Sequence, residues 1–258
     1  MTSKSWKQFW DEQNSSTASD YEVDRQTQAR DTEIESLSSG DLIAFVAAEP
    51  AELVLDAGCG TGANILLLHP LVRRIIAMDY SEAAIARCQK RLALNKIDNV
   101  EVLCGNITSI PLPDGAVDRI LCMSVLQYVD DIQVRAAFRE FARILKKGGT
   151  LVLHVKNLAS LYLATLWLMK RLLLALGRDT KLEHYRAFKW YVRELRRAGF
   201  CVSNYRSLNV FMLERMPRKL ILWLQKFELS HQDRFPFSSG FLRRHGSDLK
   251  IRAQLQTR

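Results

Sequence analysis

The strongest chemical signal in this 258-residue chain is a glycine turn flanked by two acids. Val54-Leu55-Asp56-Ala57-Gly58-Cys59-Gly60-Thr61-Gly62 reads as a strand running into a tight turn and then a helix. Glycine is required where the backbone bends sharply, or where a ligand must lie against it with no Cβ between. The spacing is G-x-G-x-G, not the G-x-G-x-x-G of a dinucleotide loop. Asp56 closes the strand before the turn, where a pyrophosphate would be repelled and an ammonium or sulfonium group tolerated. About twenty residues on, Asp79 ends the next strand, the place from which an acid hydrogen-bonds a ribose diol.

The elements around this loop alternate. Leu53–Ala57, Arg74–Met78, Val100–Leu103 and Val117–Cys122 are short apolar runs of strand length, and Gly148-Gly149 turns into a further strand at Thr150–Val155. Glu82–Leu94 and Asp131–Leu145 have apolar residues at helical spacing, and Thr32–Ala48 reads the same way. A β-α-β-α succession predicts a parallel sheet covered by helices on both faces. Beyond Val155, Leu158–Leu176 is apolar except for Lys170-Arg171, and Lys189–Ala198 is a basic amphipathic helix stopped by Gly199. Phe200–Arg206 and Asn209–Leu213 read as two strands joined by a short turn.

These motifs resemble the class I S-adenosylmethionine-dependent methyltransferases, in the subgroup of quinone-biosynthesis and other small-molecule enzymes. The resemblance runs from about Glu52 to Asn157. Besides the glycine loop and Asp79 it covers Gly105-Asn106-Ile107, Pro111–Asp118, Ser124–Val129 and Leu145–Gly149. It implies a Rossmann-like, seven-stranded, mostly parallel sheet with helices on both faces and a helical cap inserted after the fifth strand. It also implies S-adenosyl-L-methionine as cofactor. Asp56, Gly58 and Gly60 would face its methionine part, Asp79 its ribose, and Tyr80, Asn106 and Ile107 its adenine. Met123 would lie by the sulfonium, and Gln127 at the reaction centre. The family usually has Asp where this chain has Asn106, whose side-chain oxygen can still accept from the adenine amino group. The implied organisation is an N-terminal helical segment over 1–50 that closes over the cofactor, then a core over 51–157. A cap over 158–188 follows, and 189–258 completes the sheet with a basic C-terminal region.

Methyl transfer from a sulfonium is an in-line displacement with a neutral leaving group, so the protein's main task is alignment. A base is needed only when the acceptor must lose a proton. The candidates are His154 at the end of the fifth strand, His184, and Tyr21 in the N-terminal segment. No H-E-x-x-H, carboxylate pair or Cys/His cluster is present, which argues against a metal and for turnover that persists in chelator. The five cysteines are widely spread with no C-x-x-C pair, which suits reduced thiols in a cytoplasmic protein. The polar start of the chain gives no reading as a secretory leader.

Charge is uneven: Met1–Pro50 holds 4 basic and 10 acidic residues, whereas Lys156–Arg258 holds 21 and 7. A basic, apolar final third points to an anionic or lipid-like small-molecule acceptor and to peripheral contact with a membrane. Lys170 and Arg171 argue against a transmembrane helix at Leu158–Leu176; Arg215–Phe227 has the composition of an interfacial helix. The other readings are an RNA or protein methyltransferase using the basic region, a non-catalytic cofactor-binding partner, and a nicotinamide oxidoreductase. Nucleic acid is disfavoured by the lack of an RNA-binding module or of interleaved aromatic and basic residues, and the oxidoreductase by the glycine spacing.

Overall fold

The apolar runs at 53–57, 74–79 and 117–123 bury side chains on both faces of one sheet, because helices cover both faces. A computed structural model of the chain describes residues 5–15, 40–177, 183–208, 223, 226 and 247–256. The elements are α1 (Trp6–Ser15), β1 (Leu53–Ala57), α2 (Ala63–Leu68), β2 (Arg74–Asp79), α3 (Glu82–Leu94), β3 (Val100–Cys104), β4 (Val117–Met123) and α4 (Asp131–Ile144). Then follow β5 (Leu145–Lys156), α5 (Leu161–Ala175), α6 (Phe188–Arg197), β6 (Phe200–Leu208) and β7 (Asp248–Leu255). Residues 40–46 form a further helical segment.

The seven strands lie in the order β3-β2-β1-β4-β5-β7-β6. β1 to β5 are parallel, and β7 runs antiparallel between β5 and β6. Alternate residues feed two cores. Val54, Ile75, Ala77, Leu121 and Val152 pack with Phe45, Ile65, Leu68, Ile85 and Cys88 on one face. Leu55, Ile76, Met78, Ile120 and Leu153 pack with Phe138, Phe141, Tyr191 and Leu195 on the other. Helices therefore cover both faces. The order reverses direction beside β1 and β4, which in an open α/β sheet puts the ligand crevice at their carboxyl ends.

One sequence expectation needs correction. The Gly148-Gly149 turn does not precede the fifth strand but is a bulge within it. Val117 pairs with Leu145 and Arg119 with Thr150, so Lys146–Gly149 swing out of the ladder. Gly148 takes φ 75° there, and a Cβ on Gly149 would come within 2.9 Å of the Lys146 carbonyl oxygen. The partner of β6 is β7, at the far end of the described chain, while Asn209–Leu213 lies outside the described residues. So do Tyr21, the stretch 32–39 and most of Arg215–Phe227. Among the described residues no helix is long and apolar enough to cross a membrane.

Candidate active site

The carboxyl end of β1 bends into the glycine turn through three left-handed glycines: Gly58 at φ 90°, Gly60 at 55° and Gly62 at 87°. Gly58 is needed for space as well as for φ, because a Cβ there would lie 2.2 Å from Val125 Cγ2. The turn is pinned to β2, since the Met78 carbonyl accepts from the amides of Gly58 (2.7 Å) and Cys59 (3.0 Å). The Asp79 carboxylate completes the clamp, accepting from the Gly60 amide at 3.0 Å and the Ser81 amide at 2.9 Å. Burial nonetheless holds Asp79 above the ordinary carboxylate range.

Behind the turn sits Asp56, only 1% exposed. Neither of its oxygens has a hydrogen-bond partner among the described residues. Burial, with the nearby charge of Asp79, pushes its pKa up to about 7. An unpartnered buried carboxylate is costly unless a cation or donor meets it. A Cβ on Gly60 would meet no other atom within 4 Å.

Opposite the loop, the end of β4 runs through Met123 and Ser124 into a 3-10 turn at Leu126–Tyr128. Gln127 is buried, its Oε1 has no partner among the described residues, and its carbonyl accepts from the His184 amide at 2.7 Å. His154, level with Met123 on β5, is held below its ordinary pKa by burial, against the pull of Asp248. α1 spans both banks. Its Asp11 accepts from the Ser81 hydroxyl at 2.6 Å, and Trp6 and Trp10 pack on Tyr128 with ring centroids 4.8 and 5.2 Å away.

Residues 55–153 match the family described as the methyltransferase domain. They form a class I, S-adenosylmethionine-dependent methyltransferase domain. A probable S-adenosylmethionine-dependent methyltransferase of Mycolicibacterium smegmatis is 31% identical over 163 residues, 61% of this chain and 54% of that protein. The malonyl-[acyl-carrier protein] O-methyltransferase of Serratia marcescens is 30% identical over 120 residues, 46% of this chain and 44% of that protein. The chain thus spans about half the length of these relatives. The fold also matches the geranyl diphosphate C-methyltransferase of Streptomyces coelicolor, crystallised with Mg2+, geranyl diphosphate and S-adenosyl-L-homocysteine. That match has a TM-score of 0.59 at 19% identity and covers 94% of this chain and 87% of that one.

The methyltransferase domain gathers Asp56, Gly58, Gly60, Asp79, Met123, Gln127 and His154 at the carboxyl ends of β1, β2, β4 and β5, or in the loops just beyond them. Tyr80 follows Asp79 and is half-buried, and its hydroxyl is held well above the ordinary range by burial. Ile107 is buried. Asn106 lies in the loop just beyond β3. It is exposed, and its side-chain oxygen accepts from both the amide and the hydroxyl of Thr108, each at 3.0 Å. His184 presents an exposed side chain and joins the site through its backbone. Among the described residues no group of three or more His, Cys, Asp or Glu side chains could hold a metal ion. A separate open groove of about 490 Å³ runs along α6 between Phe188, Lys189, Arg193 and Arg197. It shares no residue with the glycine loop or the strand ends, and the unpartnered Asp56 is the better guide to the chemistry.

Sequence reasoning missed Ser124 and Asp248, which flank His154 in space. A serine's left-handed conformation (φ 59°) leaves no mark in the sequence. Asp248 gave a fainter signal, at the head of the alternating Leu249, Ile251, Ala253 and Leu255.

Proposed function

We propose that the chain transfers a methyl group from S-adenosylmethionine to a small apolar or amphiphilic acceptor. The observation that carries this reading is the buried, unpartnered Asp56 behind a glycine turn clamped by Asp79. When bound, the cofactor supplies an electrophilic methyl group on a sulfonium. Asp56 would meet its ammonium group, Asp79 and Tyr80 its ribose and adenine ends, and Met123 and Gln127 the reaction centre. α1 would close over the cofactor, since it bridges Ser81 on one bank and Tyr128 on the other. Because alignment supplies most of the acceleration, these groups act mainly by holding methyl and acceptor in line and excluding water.

The acceptor class is supported by α5, which continues from the carboxyl end of β5. Leu163 is buried, whereas Leu168, Met169, Leu172 and Leu176 are exposed. Arg171 stacks on Trp167 at 4.8 Å, and Lys170 pairs with Glu183. Such a helix offers an apolar wall or an interfacial face next to cations that can meet a phosphate or carboxylate. The reading extends to peripheral contact with anionic membranes. The test is transfer of label from methyl-labelled S-adenosylmethionine into a total lipid extract and into a panel of isoprenoid, quinone-precursor and fatty-acyl acceptors. Product should form in an apolar acceptor. Labelling confined to RNA or protein would overturn the acceptor class.

A further inference from the structure

Resting on the methyltransferase reading, we propose that Ser124 is the catalytic residue that takes a proton from the acceptor, relaying its own proton to His154, which Asp248 orients. The acceptor is then an O–H or N–H compound.

The geometry is a continuous chain. Ser124 Oγ lies 2.7 Å from His154 Nδ1, and His154 Nε2 lies 3.2 Å from Asp248 Oδ1. Asp248 also accepts from Lys156 at 2.6 Å and from the Ser247 hydroxyl at 3.0 Å. These partners keep it ionised, with its pKa well below the ordinary range despite burial. A carboxylate can only accept, so His154 Nε2 must carry the ring proton. Nδ1 is then a lone pair and must accept from the Ser124 hydroxyl. That leaves the lone pairs of Ser124 Oγ available to an outside donor.

The chain opens at one end. Asp248 is buried and His154 nearly so, with side-chain exposures of 9% and 15%, while Ser124 is half-buried. The next residue, Val125, is the side chain a Cβ on Gly58 would strike, so Ser124 stands beside the glycine turn. Its amide donates to the His154 carbonyl at 2.8 Å, which fixes the left-handed φ of 59°. A non-glycine residue held there is uncommon and points to a site.

In the step, the acceptor's oxygen or nitrogen forms a bond to the methyl carbon while the methyl–sulfur bond gives its electron pair to sulfur. The acceptor proton passes to Ser124 Oγ as the Ser124 proton passes to Nδ1. The positive charge lost at sulfur reappears on the imidazolium beside Asp248. Charged groups facing His154 are Asp248 and Lys250 on β7 and Lys156 on its own strand. Their balance, with burial, keeps the ring neutral and ready at pH 7.

Nitrogen NMR of 15N-histidine-labelled protein tests the connectivity without an acceptor. His154 should be neutral at pH 7 with its proton on Nε2, and Asp248→Asn should lower its pKa. A ring protonated on Nδ1, or on both nitrogens, overturns the relay. Kinetics then use methyl-labelled S-adenosylmethionine and the acceptor found by the assay above. Ser124→Gly removes the hydroxyl but suits the left-handed backbone, so it should fold. It should lower kcat by about 10²-fold or more and flatten its pH profile, with KM and cofactor affinity unchanged. Wild-type kcat and pH profile in that variant, or methylation at a carbon that loses no proton, overturns the proposal. If the wild-type protein binds no S-adenosylmethionine, the methyltransferase reading fails, and the NMR result still reports the relay separately.

Discussion

Two buried aspartates lie at the same edge of the sheet and have opposite fates. Asp56 has no partner among the described residues, and its pKa is pushed up to about 7. Asp248 meets Lys156, His154 and Ser247 and is held well below the ordinary range. Burial raises both; opposite charge and hydrogen bonds reverse the sign only at Asp248. The β5–β7 side of the crevice is thus complete within the chain, while the β1 side presents acceptors that a cationic ligand would satisfy. On the readings proposed above, one half would handle protons and the other would hold a positively charged cofactor.

The most damaging change should be Gly58→Ala, which forces a Cβ into Val125 at φ 90°. It should cost roughly 2–4 kcal/mol and abolish cofactor binding. Urea unfolding at the wild-type midpoint would show that the turn is not packed as described. Next, Asp248→Asn should destabilise by about 1–3 kcal/mol at neutral pH. Because the folded pKa of Asp248 is depressed, its contribution is present above the ordinary carboxylate pKa and lost as pH falls through the folded value. The gap between variant and parent should therefore close only in acid.

Asp56→Asn should do the reverse. A folded pKa raised to about 7 means that the parent, without cofactor, loses stability as pH rises from about 4 to about 7. The variant escapes that loss and should be more stable at pH 7 by on the order of 1–2 kcal/mol, the buried amide offsetting part of the gain. Melting curves across pH 4–8 check the sign, and a variant less stable at every pH would break the comparison. The smallest folding effect should come from Leu168→Glu with Leu172→Glu. Both side chains are exposed, so stability should stay within about 0.5 kcal/mol while binding to anionic vesicles falls. Unchanged vesicle binding would remove α5 from the membrane reading.

Much of the cofactor half was legible because its signals are local. The apolar run at Leu53–Ala57 and the helical spacing of Glu82–Leu94 match β1 and α3 end to end, and the glycine spacing marks a turn whose φ values only glycine adopts readily. The other half depends on contacts distant in sequence. β7 alternates cleanly from Leu249 to Leu255, yet the charges between obscured it: Lys250 is buried only because Asp41, more than two hundred residues away, accepts from it. The Gly148-Gly149 pair signals a turn, and only the register against β4 makes it a bulge. The local contact of Asn106 with Thr108, two residues later, was likewise not legible from residue types alone.

The central claim is that the edge formed by Asp56, the glycine turn and Asp79 holds S-adenosylmethionine and its demethylated product. Titration calorimetry of S-adenosyl-L-homocysteine into wild-type protein and Asp79→Ala tests it most directly. Wild type should bind at one site, and the variant should bind about 1.5–3 kcal/mol more weakly, the usual value of a hydrogen bond to a charged group. Failure of the wild-type protein to bind, or equal affinity in the folded variant, would contradict the account.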